Sequence, residues 1–287
     1  MSLTIISNPE KREKILNYIS DLSIEVNNKI ILKYFGHLRQ QQIFTKSSED
    51  DFVSIADRES EEFIVNKLQG FLDINYYIGE ETSYLQKDNF EDYLKKPLLW
   101  VIDPIDGTKN YINNRNEFCT MISLVSDTIP IATFIYYPLK ELLVYAFKGF
   151  GSYLIRFDSQ KTSRLFIKKQ NIKNVLGSGG TKGIAEPLRQ TVLKNLRNNT
   201  KRLFVGSAGI ETIMLATNQI HFIFHGRVTP WDHSPLDLII REAGGCVFMV
   251  NDKKNFNTFS EGPILAASNN QIWEEIKEIA FKKNDVN

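Results

Sequence analysis

The sequence predicts an α/β protein in two lobes, an α+β N-terminal half and an α/β C-terminal half. Three observations predict it. An amphipathic helical pattern opens the chain. Four apolar runs then succeed one another in residues 119–157 with no helix between them, as in an antiparallel meander. Beyond residue 174, strand and helix signals alternate. A basic, polar stretch at 159–173 separates the two regimes, so the expected lobes are 1–158 and 159–287.

The elements follow in order. Asn8-Pro9-Glu10 is a helix start: a capping side chain, a proline where no N–H is needed, then an acid. Ile15, Ile19, Leu22, Val26 and Ile30 recur at helical spacing, and Gly36 can close the helix. Gln40, Gln41 and Gln42 read as loop or strand edge, and residues 46–51 as a polar loop. Residues 52–57 lead into an acid-rich helix at 58–68, ended by Gly70, with Asp57 near its start, where an acid is favoured. Residues 74–78 form a short strand, and Gly79-Glu80-Glu81 follows it. Residues 88–96 are charged and loop-like.

Residues 98–102 are five apolar residues in a row, a buried strand that runs into Asp103-Pro104-Ile105-Asp106-Gly107-Thr108. The meander uses 119–125, 129–137, 142–147 and 153–157, broken at Ser126-Asp127, Pro138-Leu139-Lys140 and Gly149-Phe150-Gly151. In the second half, residues 175–180 read as a strand into a glycine loop, 186–197 as a helix and 203–205 as a short strand. Gly206-Ser207-Ala208-Gly209 leads a helix through Ala216. A strand at 220–224, a helix from Trp231 to Glu242, strands at 246–250 and 264–267 and a helix at 271–282 complete the chain.

Composition narrows the function. Thirty-five basic and 34 acidic residues leave a net charge of +1, which argues against a broad nucleic-acid surface. No apolar run approaches the roughly 20 residues of a membrane span. Residues 1–13 carry no secretory-leader pattern, and Cys119 and Cys246 are too few for a disulfide scaffold. The expectation is a soluble cytoplasmic protein.

The chemistry concentrates at the end of the 98–102 strand. Asp103 and Asp106 are two carboxylates in a tight turn beside a buried segment. Burying one unpaired carboxylate is costly, and two repel each other, so the arrangement calls for cations. Oxygen donors of this kind suit Mg²⁺ first, with Mn²⁺ or Ca²⁺ behind it. Gly107 and Thr108 offer backbone N–H groups to a phosphate. Glu80 and Asp232 likewise lie where apolar segments meet a turn or helix start. Glu81 reads as a solvated acid, Trp231 as packing, His233 as structural, and His37 and His221 as unconnected with the site. No zinc-ligand spacing and no Ser-His-Asp arrangement is evident.

Taken together, Gly79-Glu80-Glu81, the block from Asp103 to Thr108, and Trp231-Asp232 followed by Glu242-Ala243-Gly244-Gly245 resemble the inositol monophosphatase family of metal-dependent phosphomonoesterases. Lys46 and residues 51–57 match that family's N-terminal block, so the resemblance covers nearly the whole chain. It implies the layered α-β-α-β-α sandwich of the sugar-phosphatase superfamily, usually as a homodimer, with lithium sensitivity. It implies two to three Mg²⁺ ions, for which Mn²⁺ can substitute. Glu80, Asp103 and the Ile105 carbonyl would hold one ion, and Asp103, Asp106 and Asp232 a second; a third, weaker ion also leans on Glu80. Thr108 and Asp57 would orient the attacking water, and Gly107 and Thr108 would bind phosphate. The N-terminal lobe would thus hold most of the metal ligands, while the C-terminal lobe supplies Asp232 and substrate contacts.

For the leaving group, Asp106, Ser207, Ala208, His225 and Arg227 are the substrate contacts implied. Inositol-specific members carry an acid seven positions before the Asp of Trp-Asp. Counting back from Asp232 gives His225 instead, with Arg227 beside it, a pair that suits a second negative group on the substrate. Lys109 after Thr108 resembles the branch acting on 3′-phosphoadenosine 5′-phosphate, although Asn110-Tyr111 fits it less well. The expected partner is a small phosphorylated metabolite: inositol phosphate by family default, with a bisphosphate nucleotide, histidinol phosphate or a sugar phosphate as alternatives. A reading of another class, a regulatory protein that binds RNA or the transcription machinery on a phosphatase scaffold, is disfavoured by the neutral charge and the intact acid set.

Overall fold

The computed structural model describes residues 3–46, 52–86, 91–169 and 175–282. The loop expected over 47–51, the start of the charged stretch at 88–90 and residues 170–173 of the boundary stretch lie outside them.

Helices α1 (Leu3–Ser7) and α2 (Pro9–Val26) lead the chain. Asn8 caps α2 by accepting the Lys11 N–H at 3.1 Å. One π-helical turn, Asn27–Ile31, joins α2 to α3 (Leu32–Tyr34). Strands β1 (Ile43–Thr45) and β2 (Phe52–Ser54) pair antiparallel and deliver the chain into α4 (Ile55–Leu68). The strand expected at 74–78 forms as β3 (Tyr77–Gly79), after a 3-10 turn at Phe71–Asp73. Helices α5 (Glu80–Gln86) and α6 (Glu91–Leu94) follow.

Strand β4 (Leu98–Asp106) is longer than the apolar run that announces it and carries both aspartates inside the sheet. Helix α7 (Thr108–Ile112) then leads to β5 (Cys119–Ser126), β6 (Ile129–Tyr137), β7 (Leu142–Phe147), β8 (Gly151–Arg156) and β9 (Lys161–Arg164). These form one seven-stranded sheet in the order β3-β4-β5-β6-β7-β8-β9, antiparallel except for β3 with β4. The sheet continues to Arg164, six positions beyond residue 158.

The second half runs β10 (Leu176–Gly180), α8 (Leu188–Asn199), β11 (Lys201–Arg202), α9 (Ala208–Ala216), β12 (Phe222–His225), α10 (Pro230–Glu242), β13 (Cys246–Met249), β14 (Ile264–Ala267) and α11 (Asn270–Phe281). The sheet order is β11-β10-β12-β14-β13, with β10 parallel to both neighbours and β14 antiparallel to both of its own. The strand expected at 203–205 pairs earlier, at Lys201–Arg202. After Leu203 the chain turns away, leaving Phe204 exposed and Val205 buried.

Five layers result. Helices α2 and α4 cover one face of the large sheet, with Ile15, Ile19 and Ile64 in one core with Trp100 of β4. On its other face, α9 and α10 are buried between the two sheets with Ile213, Leu236 and Ile239. Helices α8 and α11 close the far face of the small sheet through Val192, Leu196, Trp273 and Ile276. Cys119 and Cys246 are free buried thiols. No described helix is long and apolar enough to cross a membrane.

Candidate active site

Two carboxylates three positions apart on a regular strand would face opposite sides of the sheet. Here the ladder slips by one residue: Asp103 lies opposite Met121 and Asp106 opposite Cys119. That bulge turns both acids to the face covered by α9 and α10. Met121 and Cys119 belong to that buried layer, whereas Ile105 packs on the other side. Thr120 Oγ1 donates to the Pro104 carbonyl at 2.8 Å within the slipped segment.

Asp232, in the first turn of α10, completes the group. Carboxylate oxygens of Asp103, Asp106 and Asp232 lie within 4.8 Å of one another. Burial, then the charges of Glu80, Asp106 and Asp232, push the Asp103 carboxyl well above its ordinary value. Burial, then the charges of Asp106 and Glu80, push Asp232 up to about 7. Asp103 Oδ1 is buried and accepts no hydrogen bond. A buried oxygen without a donor, inside a cluster of mutually repelling acids, fits a cation.

Asp106 is held differently. It accepts from Ser207 Oγ at 2.5 Å, Gly209 N at 2.7 Å and Ala208 N at 3.2 Å. The N-terminus of α9 is thus closed by a carboxylate from another strand. Burial still raises its pKa, against these donors. Gly209 makes the contact possible: a Cβ there would lie 2.3 Å from Cys119 Sγ and 2.4 Å from Met121 Sδ. Ser207 and Ala208, expected as substrate contacts, line the adjoining cavity but direct these groups at Asp106.

Asp57 and Thr108 come together across 51 positions. Thr108 Oγ1 donates to Asp57 Oδ1 at 3.1 Å and lies at the same distance from the Ile105 carbonyl. Ser54 gives both its backbone N–H, at 2.8 Å, and its hydroxyl, at 2.6 Å, to Asp57 Oδ2. Burial outweighs those donors and lifts Asp57 to about 6. Gly107, at φ +91°, turns the chain into α7, where a Cβ would meet the Glu117 carbonyl at 2.8 Å. The first N–H groups of that helix have no partner within it.

Glu80 opens α5 outside the close group of three. Lys46 Nζ reaches Glu80 at 2.7 Å and Glu81 at 2.5 Å. Glu81 is therefore not a solvated acid: it is 4% exposed. Burial, with the charges of Glu80 and Asp57, raises it to about 9. Burial acts to lower the Lys46 pKa, but the two glutamates outweigh it and hold the ammonium firmly charged. Glu61 takes the backbone N–H groups of Glu81 and Thr82, each at 2.8 Å, and Gly79 leaves room for its carboxylate.

The opposite wall centres on His225 and on Glu211, a partner that the sequence pattern does not reveal. Glu211 Oε2 lies 2.7 Å from His225 Nε2, and His225 Nδ1 lies 2.9 Å from His233 Nε2. Thr229 N donates to His233 Nδ1 at 3.0 Å. That donor leaves the His233 proton on Nε2, facing His225, and the His225 proton on Nε2, facing Glu211. Burial acts to lower the His225 pKa, but the Glu211 hydrogen bond and charge outweigh it and raise it. Both ring nitrogens of His225 are thus committed to protein. The one available signal was that Glu211 is the only charged residue in α9. Arg227 is exposed on the same cavity rim.

A layered α/β sandwich with buried acids at a strand end, beside a glycine turn, is the architecture of a phosphoric monoester hydrolase. The inositol monophosphatase family model matches residues 12–283, and the chain belongs to that family, whose members are phosphatases. Among its relatives is a fructose-1,6-bisphosphatase/inositol-1-monophosphatase of Aquifex aeolicus (strain VF5). It is 26% identical over 276 residues, covering 93% of this chain and 96% of that protein. A 3′(2′),5′-bisphosphate nucleotidase CysQ of Aggregatibacter actinomycetemcomitans is 28% identical, covering 75% of this chain and 80% of the relative. The crystal structure of inositol monophosphate-bound SaIMPase-II superposes with a TM-score of 0.74 at 21% identity, covering 94% of each chain.

Proposed function

We propose that this chain is a Mg²⁺-dependent phosphomonoesterase that hydrolyses a small phosphorylated metabolite by attack of water. The observation that carries the reading is the buried, unpartnered Asp103 oxygen amid Asp106 and Asp232. Glu80, Asp103, the Ile105 carbonyl, Asp106 and Asp232 would hold two to three ions, with Mn²⁺ as a substitute. Bound there, the metal supplies Lewis-acid stabilisation of phosphoryl charge and a more acidic water.

The chain's own groups do the rest. Thr108 donates its hydroxyl proton to Asp57, so its oxygen lone pairs face outward to accept from the attacking water. Asp57, held by Ser54 and lifted to about 6, can share that proton near neutral pH. The N–H groups of Gly107 and Thr108 orient the phosphate. Asp106, anchored on α9, and Asp232, on α10, keep their spacing because both helices are packed between the two sheets. Lithium inhibition, a homodimer and a cytoplasmic location belong to the same reading.

The test is phosphate release from inositol 1-phosphate, fructose 1,6-bisphosphate, adenosine 3′,5′-bisphosphate and histidinol phosphate, with Mg²⁺ and with chelator. Turnover of at least one ester is expected with Mg²⁺ and none with chelator. Asp103→Asn is expected to lower kcat about 100-fold or more. Absence of turnover with Mg²⁺, or turnover indifferent to chelator, overturns the reading.

A further inference from the structure

Beside the acid cluster lies a cavity of about 280 Å³ whose far wall is built for a different charge. On that wall, away from Asp106 and Asp232, the carboxylate is Glu211, and it is occupied. Glu211 Oε1 accepts from Ser178 Oγ at 2.6 Å and Gly179 N at 3.1 Å, while Oε2 takes His225. A polyol needs acceptors for its hydroxyls, and this wall leaves little of its carboxylate free.

Its cations, by contrast, are available. Lys182 and Arg227 line the cavity, and neither has a carboxylate within 4.0 Å among the described residues. The loops that carry them are fastened together. Gly226 N donates to the Gly180 carbonyl at 2.8 Å, and a Cβ on Gly226 would meet the Lys182 carbonyl at 2.7 Å. The Arg227 stem lies over Gly183, where a Cβ would come within 2.5 Å of it. Phe204 stands on the same rim with 79% of its surface exposed. A flat apolar face lining the same cavity as two cations suits a ring that carries negative charge.

We infer that the leaving group of the substrate carries a second anionic group, held by Arg227 and Lys182, and a planar ring laid on Phe204. This is the chemistry of a nucleoside bisphosphate rather than of an inositol monophosphate. The inference rests on the phosphomonoesterase reading and names the substrate class of that same site.

Steady-state phosphate release with Mg²⁺ would compare adenosine 3′,5′-bisphosphate, adenosine 3′-monophosphate, ribose 3,5-bisphosphate and inositol 1-phosphate. The wild-type chain should favour the first over each of the others by about tenfold or more in kcat/KM. Arg227→Ala should reduce the bisphosphate-to-monophosphate ratio about tenfold, chiefly through KM, with Arg227→Lys between the two. Phe204→Ala should reduce the preference for the adenosine over the ribose bisphosphate, and Phe204→Tyr should retain it. Ratios near one in the wild type, or ratios unmoved by both alanine variants, overturn the inference while leaving the phosphatase reading intact. If no ester is hydrolysed, that reading fails by itself. Calorimetric titration with adenosine 3′,5′-bisphosphate then judges the inference: binding weakened by Arg227→Ala and Phe204→Ala supports it, and no binding, or binding indifferent to both, removes it.

Discussion

At the scale of single residues, Gly209 sets the position of the acid cluster. It lets the first turn of α9 touch β5 and pass its N–H groups to Asp106. Gly209→Ala must displace either the helix start or two sulfur-bearing side chains on a central strand. Overpacking of this kind costs about 1–3 kcal/mol. The prediction is a lowered urea midpoint together with at least a tenfold fall in phosphate release. Wild-type values in both assays would mean that the helix start does not position Asp106. The acids themselves were legible in the sequence, because Glu80, Asp103, Asp106 and Asp232 each interrupt or end an apolar segment. Glu211 was not, since its partner His225 lies 14 positions away on β12 and no local pattern links them. Phe204 escaped for another reason: apolar residues around it read as a strand, whereas only the turn after β11 exposes it.

At the scale of elements, the meander strands β6 and β7 and the strand β14 fall on their expected apolar runs, since tandem runs between turn residues leave few alternatives. The bulge in β4 was not legible. A spacing of three read as a turn, and only the slipped ladder to β5 makes it an extended segment with both acids on one face. Helix α4 starts one turn before the expected residue 58, because its cap is built from Ser54 and Asp57 reciprocally rather than from an acid alone. That capping box links helix stability to the site. Ser54→Ala removes a donor to the charged form of Asp57 as well as the cap. It should cost about 1 kcal/mol of stability. Loss of a hydrogen bond to the carboxylate also raises the Asp57 pKa further, so the acid limb of the pH–rate profile should move to higher pH. An unmoved acid limb in the variant would show that Asp57 does not set it.

At the scale of the whole molecule, the acids lie in the seam between two sheets, with Asp103 and Asp106 from the large sheet and Asp232 from the helix layer behind it. Their mutual repulsion therefore opposes the packing of the layers. Asp57 rises from the ordinary 3.8 to about 6, Asp232 to about 7, and Asp103 moves in the same direction. A folded pKa above the unfolded one favours the folded state while the group is protonated. This contribution is complete below the unfolded value near 4 and is lost as pH rises through the window from about 4 to about 7. Chelated protein should accordingly lose stability from this cluster between pH 5 and pH 8. On the proposed reading, Mg²⁺ would bind the deprotonated acids and counter the loss. At one hundred times its dissociation constant, a ligand of the folded state adds about 2.7 kcal/mol. The gain in Tm on adding Mg²⁺ should thus be several degrees at pH 8 and distinctly smaller at pH 5. Asp232→Asn removes one of the repelling charges, so the chelated variant should unfold at a higher temperature than the chelated wild type at pH 8 and gain less from Mg²⁺. Thermal scans of both proteins at the two pH values decide the matter. A Tm gain equal at pH 5 and pH 8, or equal in wild type and variant, would place the ion elsewhere than among these acids.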